Sequence, residues 1–97
     1  MEVLFLYDRH VDICRKQLKA LKDRDLKLVE KLAWEREQIT GRIIELMRDK
    51  KVGRMNGLLR QRIREYTDEI LSIDQEIKSI LLDELYDHAI RIFTLNP

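Results

Sequence analysis

Lys22-Asp23-Arg24-Asp25 is the stretch on which the architecture turns. It holds no apolar residue, and an ordered apolar series runs on either side. Before it stand Leu4, Tyr7, Val11, Cys14, Leu18 and Leu21, three and four residues apart in alternation. That spacing is the seam of a helix packed on another helix. After it the series resumes as Val29, Leu32, Arg36, Ile39, Ile43 and Leu46, with Arg36 as its one polar member. If the four residues only kink the chain, the first half is one bent helix. If Asp25 caps a new helix, they form a full turn.

Further out, Lys50 to Gly57 is a second break. Gly53 suits a helix stop and Asn56 suits the cap of the next helix. The last series is Leu59, Ile63, Tyr66, Ile70, Ile73, Ile77 and Ile80. Past Ile77 it slips by one position to Leu81, Leu85, His88, Ile92 and Leu95, the mark of a stutter. The only proline is Pro97, so nothing interrupts residues 58 to 95, and one helix of about 55 Å is expected. The fold is all-α, with one domain over residues 1–97. It is either an antiparallel, coiled-coil-like helical hairpin or a three-helix bundle with a long C-terminal helix, the helices near 2–22, 26–50 and 57–95.

In the hairpin, a loop centred near residue 54 sets Ile43 against Tyr66, Ile39 against Ile70 and Leu32 against Ile77. Both arms then change phase at nearly the same level, which favours the hairpin. Charge agrees with close pairing. The segment 15–31 is rich in Lys and Arg, and 68–87 carries Asp68, Glu69, Asp74, Glu76, Asp83, Glu84 and Asp87 against Lys78 alone. Flanking charges of opposite sign set pairing and orientation.

Bulk composition excludes several classes. The 97 residues are 38% charged with a net charge of +1, so no global field recruits nucleic acid or an anionic membrane. The basic tip, with Arg48, Lys50, Lys51, Arg54, Arg60, Arg62 and Arg64, lacks aromatic partners for bases other than Tyr66. No segment approaches the roughly 20 apolar residues of a membrane span. Val3 to Tyr7 is too short for a signal sequence. The lone Cys14 sits where a core residue belongs and fits a reducing compartment, so a cytoplasmic location is expected. His10 and His88 lie far apart, no cysteine pair exists, and no phosphate loop is formed, so no metal, cofactor or catalytic site is expected. His88, on the seam, reads as a core or boundary residue.

The remaining signal is apolar surface in excess of what the seams need. In the last helix Leu82, Tyr86, Ile90 and Phe93 form a second stripe, and the first helix adds Phe5, Leu6 and Ile13. Trp34, Ile44 and Leu71 lie off the seams as well. Either the helices consume these stripes among themselves, or the chain homodimerises, or an amphipathic helix of another protein docks there. The residues expected to contact such a partner are Leu82, Tyr86, Ile90, Phe93, Phe5 and Leu6.

Residues 18 to 39 resemble a known pattern: a helix, a short break ending in Asp, then L-x-x-L-x-x-x-R/K-E and an aliphatic heptad. Asp25, Leu26, Val29, Leu32, Arg36 and Glu37 fill those places. Ile70-Leu-Ser-Ile-Asp-Gln-Glu-Ile-Lys is similar to a second stretch of the same proteins through Asp74, Glu76 and Ile77. The family is that of the substrate-specific flagellar type III export chaperones of the FliT and FlgN types. It usually has Gly before the Asp, where this chain has Arg24. The resemblance implies a cytoplasmic chaperone without enzymatic activity. Its client would be the C-terminal amphipathic helix of a filament-cap or hook-associated subunit, and the C-terminal helical segment would contact the client or cover its groove. The helical chorismate mutases are an enzyme alternative of similar size. Their long helix comes first and projects several basic residues into the site. Here it comes last, and Arg36 alone is basic on a seam.

Overall fold

A computed structural model describes the backbone of residues 2–48 and 57–95, and the side chains of these residues up to 91. It contains three helices: α1 (Glu2–Lys22), α2 (Leu26–Arg48) and α3 (Gly57–Leu95). The expected loop over 51–56, with its Gly53 stop and Asn56 cap, lies outside the described residues. So do Lys50, Lys51 and Arg54 of the basic tip.

Residues 22 to 25 make a full turn. The Asp25 amide donates to the Ala20 carbonyl at 2.9 Å and the Arg24 amide donates to that of Leu21 at 3.1 Å. This pair of bonds closes a helix in the Schellman manner. The closing residue must adopt a left-handed conformation, and Arg24 does so with φ of 58°. The position is one that glycine favours, which accounts for the Gly that the resembling sequences carry there. Asp25 then opens α2: its Oδ1 accepts from the Leu28 amide at 3.2 Å, and its carbonyl accepts from the Val29 amide at 3.0 Å. One residue ends a helix and the next begins another, so the chain reverses with no spare residues. The three-helix arrangement, not the hairpin, is the fold.

The helix partnerships differ from those of the hairpin. Among the described residues, no Cα of α2 lies within 8 Å of one of α3; both pack on α1. Leu6, Ile13 and Ala20 of α1 meet Leu32, Ile39 and Ile43 of α2, with Val29 and Leu46 alongside. Val11 and Cys14, on the adjoining face of α1, meet Ile70 of α3, with Tyr7, Tyr66 and Ile73 around them. The Tyr7 and Tyr66 rings stack with centroids 6.3 Å apart. The expected pairs of Ile39 with Ile70 and Leu32 with Ile77 are therefore not formed. The reason is visible in α1, which buries apolar residues on two adjoining faces and so sits in the middle.

The α2 helix runs antiparallel to α1, as Glu2 with Arg42 and Gln17 with Val29 indicate. The α3 helix runs parallel to α1. Arg15 pairs with Glu69, Lys22 with Glu76 at 4.0 Å and Arg24 with Glu84 at 3.3 Å. The basic and acidic segments do come together, but through parallel α1–α3 packing. These pairs are exposed and contribute little stability each; their effect is on orientation. Cys14 is fully buried, and burial pushes its thiol pKa up to about 11.

Candidate docking surface

The three helices differ in length, and that difference creates the open surface. At about 1.5 Å per residue, α1 and α2 each span about 30–35 Å, whereas α3 with its 39 residues spans about 58 Å. The molecule measures 63 × 23 × 20 Å, so α3 alone sets its long dimension. Tyr66 sits beside Tyr7 near the start of α1, and Glu84 sits beside Arg24 in the turn that ends it. Past Glu84 the helix continues to Leu95, eleven residues or about 16 Å beyond the turn. The stutter read at Ile77 falls where the bundle is running out, and the apolar stripe rotates away from α1 there.

On and just before this overhang Leu81, Leu82, Leu85, Tyr86 and Ile90 are all exposed, Leu85 and Tyr86 by 65% and 68%. Leu82, Tyr86 and Ile90 recur every four residues and Leu85 lies between them, so they share one face. Leu71 is exposed three turns before Leu82 on the same face. Ile70 and Ile73 beside it point to α1, so the stripe is turned away from the bundle.

The structure places the described contact residues in three different settings. Leu82, Tyr86 and Ile90 stand together on the open face. Phe5 is exposed, but near the other end of the molecule: Tyr86 is twenty residues past Tyr66, about 30 Å along α3. Leu6 is corrected to a core residue. It is buried between α1 and α2, because its seven-residue spacing with Ile13 and Ala20 faces α2. The side chain of Phe93 lies outside the described residues. His88 is exposed rather than packed, since α1 has ended before its level, and it borders a shallow recess with Arg24, Glu84, Asp87 and Arg91.

A polar node not foreseen in the sequence holds the scaffold. Val3, His10 and Gln17 recur every seven residues on the line of α1 between its two apolar faces, and all three are buried. Arg36 of α2 reaches across this line. It donates to both carboxylate oxygens of Asp74 on α3 at 2.8 and 2.9 Å, to the Gln17 Oε1 at 2.9 Å and to the His10 Nε2 at 3.1 Å. Gln17 in turn donates to the Val29 carbonyl at 3.3 Å. Every helix contributes, so the node fixes how α2 and α3 are set around α1. Burial, and then the nearby guanidinium, hold the His10 pKa below its ordinary value, against the opposing pull of Asp74. Burial opposes the Arg36 charge, but the bonds to Asp74 together with the charge interactions with Cys14 and Asp74 raise its pKa. The signal was present in the sequence: two polar residues at seven-residue spacing on α1, opposite an arginine on the α2 seam.

Beside the node a shallow recess of about 440 Å³ is lined by Gln17, Ala33, Arg36, Glu37, Thr40 and Ile44. Among the described residues no three His, Cys, Asp or Glu side chains are grouped to hold a metal ion, and no helix is long and apolar enough to cross a membrane. The residues that carry the resemblance to export chaperones are scaffold here: Asp25 caps α2, Leu32 and Ile70 are core, and Arg36 joins Asp74. Comparison with family models, curated proteins and solved structures gave no match to the chain.

Proposed function

We propose that this chain is a helix-binding protein that seats the apolar face of a partner's amphipathic helix along the outer face of α3. The observation that carries this reading is the exposed row Leu82, Leu85 and Tyr86 on a helix that outruns its own bundle. Large contiguous apolar surface on a small protein marks an interaction site, and a stripe at helical spacing suits another helix. Fully covering an apolar side chain contributes roughly 1.5–3 kcal/mol. Three or four half-covered side chains contribute about 2–6 kcal/mol before the cost of association, so this row alone gives a weak affinity and a tighter grip needs further contacts along α3. A weak grip is reversible, suited to shielding a segment and handing it on.

The resemblance to flagellar export chaperones supplies the finer reading. The client would be the C-terminal helix of a filament-cap or hook-associated subunit, held unassembled in the cytoplasm until export. A subunit that polymerises through an apolar helix face needs that face covered beforehand, and α3 offers a cover of matching chemistry. The test is a titration of labelled helical peptides from such subunits against the parental chain and against Leu82→Asp/Tyr86→Asp. Both positions are exposed, so the variant keeps its helical circular dichroism. Loss of binding in the variant supports the reading. Equal binding by both chains contradicts it.

A further inference from the structure

The charges beside the α3 stripe bear on which helix would fit it. Between Glu76 and Asp87, α3 carries four carboxylates and one Lys, Lys78. Two of the four are answered within the molecule: Glu76 by Lys22 and Glu84 by Arg24. Asp83 and Asp87 form no ion pair among the described residues. They lie four apart, on neighbouring turns of one edge, and each stands three residues before an apolar member of the stripe, Tyr86 and Ile90. An open apolar row is thus bordered by two carboxylates without an ion pair among the described residues, with Arg91 one turn past Asp87 at the end of that edge.

We infer, on the footing of the docking function proposed above, that the partner helix carries lysine or arginine along the edge of its apolar face that meets Asp83 and Asp87. Opposite charges flanking an apolar seam select the partner and its orientation. The same edge disfavours an antiparallel second copy of this chain. In an antiparallel pair like edges meet, and Asp83 and Asp87 of one copy approach those of the other. In a parallel pair the edge meets the other side of the stripe, which carries Lys78. The acidic border therefore works in two senses, for a basic helix and against antiparallel self-pairing.

Two designed helical peptides with identical apolar faces, one flanked by Lys and one by Glu, test this by fluorescence anisotropy. The parental chain is expected to bind the Lys peptide roughly three- to tenfold more tightly at low salt, the effect of two exposed ion pairs. The preference shrinks as added salt screens the charges. Asp83→Lys/Asp87→Lys is expected to reverse it. Equal binding of both peptides, abolished by Leu82→Asp/Tyr86→Asp, overturns the charge inference and leaves the docking function standing. Binding of neither peptide overturns both. Sedimentation of the parental chain as a dimer that Leu82→Asp/Tyr86→Asp dissociates assigns the stripe to a second copy and also overturns the inference.

Discussion

Replacing Arg36 by methionine tests the scaffold at its centre. The guanidinium makes four hydrogen bonds, two to Asp74 and one each to His10 and Gln17. Its side chain is 20% exposed and that of Asp74 40%. Methionine fills much of the volume but leaves the His10 Nε2 and Gln17 Oε1 without a donor in a buried place, at about 1 kcal/mol each. The Asp74 carboxylate is part-exposed, so water re-solvates it and its share is about 1 kcal/mol or less. The sum is about 2–3 kcal/mol, which for a chain of this size lowers Tm by roughly 10–20 °C. Thermal and urea unfolding followed by circular dichroism at neutral pH measure it. Adding Asp74→Leu to Arg36→Met is expected to recover part of the loss, because a buried ion pair contributes little net over well-packed apolar groups. An Arg36→Met chain as stable as the parent would refute the reasoning, since the node would then be an incidental contact rather than the joint of three helices.

Other outcomes rest on the same geometry. His10 accepts from Arg36 and so is held neutral, with a pKa below the ordinary value of about 6.5. The unfolded chain therefore takes up this proton first. Stability is fully present above about pH 6.5, declines as pH falls toward the lowered folded value, and is level below it. His10→Gln is expected to remove that slope in urea titrations across the window; an unchanged slope assigns it elsewhere. Arg24→Gly and Arg24→Ala both delete the exposed pair with Glu84, so the difference between them isolates the left-handed φ of 58°. The glycine variant is expected to be more stable than the alanine variant by about 1 kcal/mol, and equal melting temperatures would contradict the turn geometry.

Much of the scaffold was legible because helical periodicity and capping chemistry are local. The break at residues 22–25 has Asp25 as its cap, the α2 seam is a buried face, and the α1 seam and the α3 seam around Tyr66, Ile70 and Ile73 meet each other, whereas Leu81, Leu85 and His88 of the shifted series are exposed. Which helix pairs with which was not local. An α2–α3 hairpin is suggested by their adjacency across one loop and by seams of the same period, and those seams fit α1 equally well. The discriminating fact was that α1 has two apolar faces, through Leu6, Ile13 and Ala20 on one side and Tyr7, Val11 and Cys14 on the other. A helix with two such faces needs neighbours on both. The charge pattern did not separate the cases, because its basic half covers the end of α1 and the start of α2 together. On the candidate surface, periodicity gave the shared face of Leu82, Tyr86 and Ile90. It did not exclude Leu6, because burial depends on which neighbour is present and not on spacing alone.

The central claim is that the outer face of α3, past the end of α1, is where a helix docks. Hydrogen exchange of the chain, with and without a saturating amphipathic helical peptide, measures this directly. Amides of α3 over residues 78–91 lie at and beyond the end of α1, and those past Glu84 should exchange readily in the free chain. On adding peptide they should slow markedly, while those of α1 change little. Unchanged exchange over 78–91 with protection confined to α1 and α2 would place the helix elsewhere and contradict the claim.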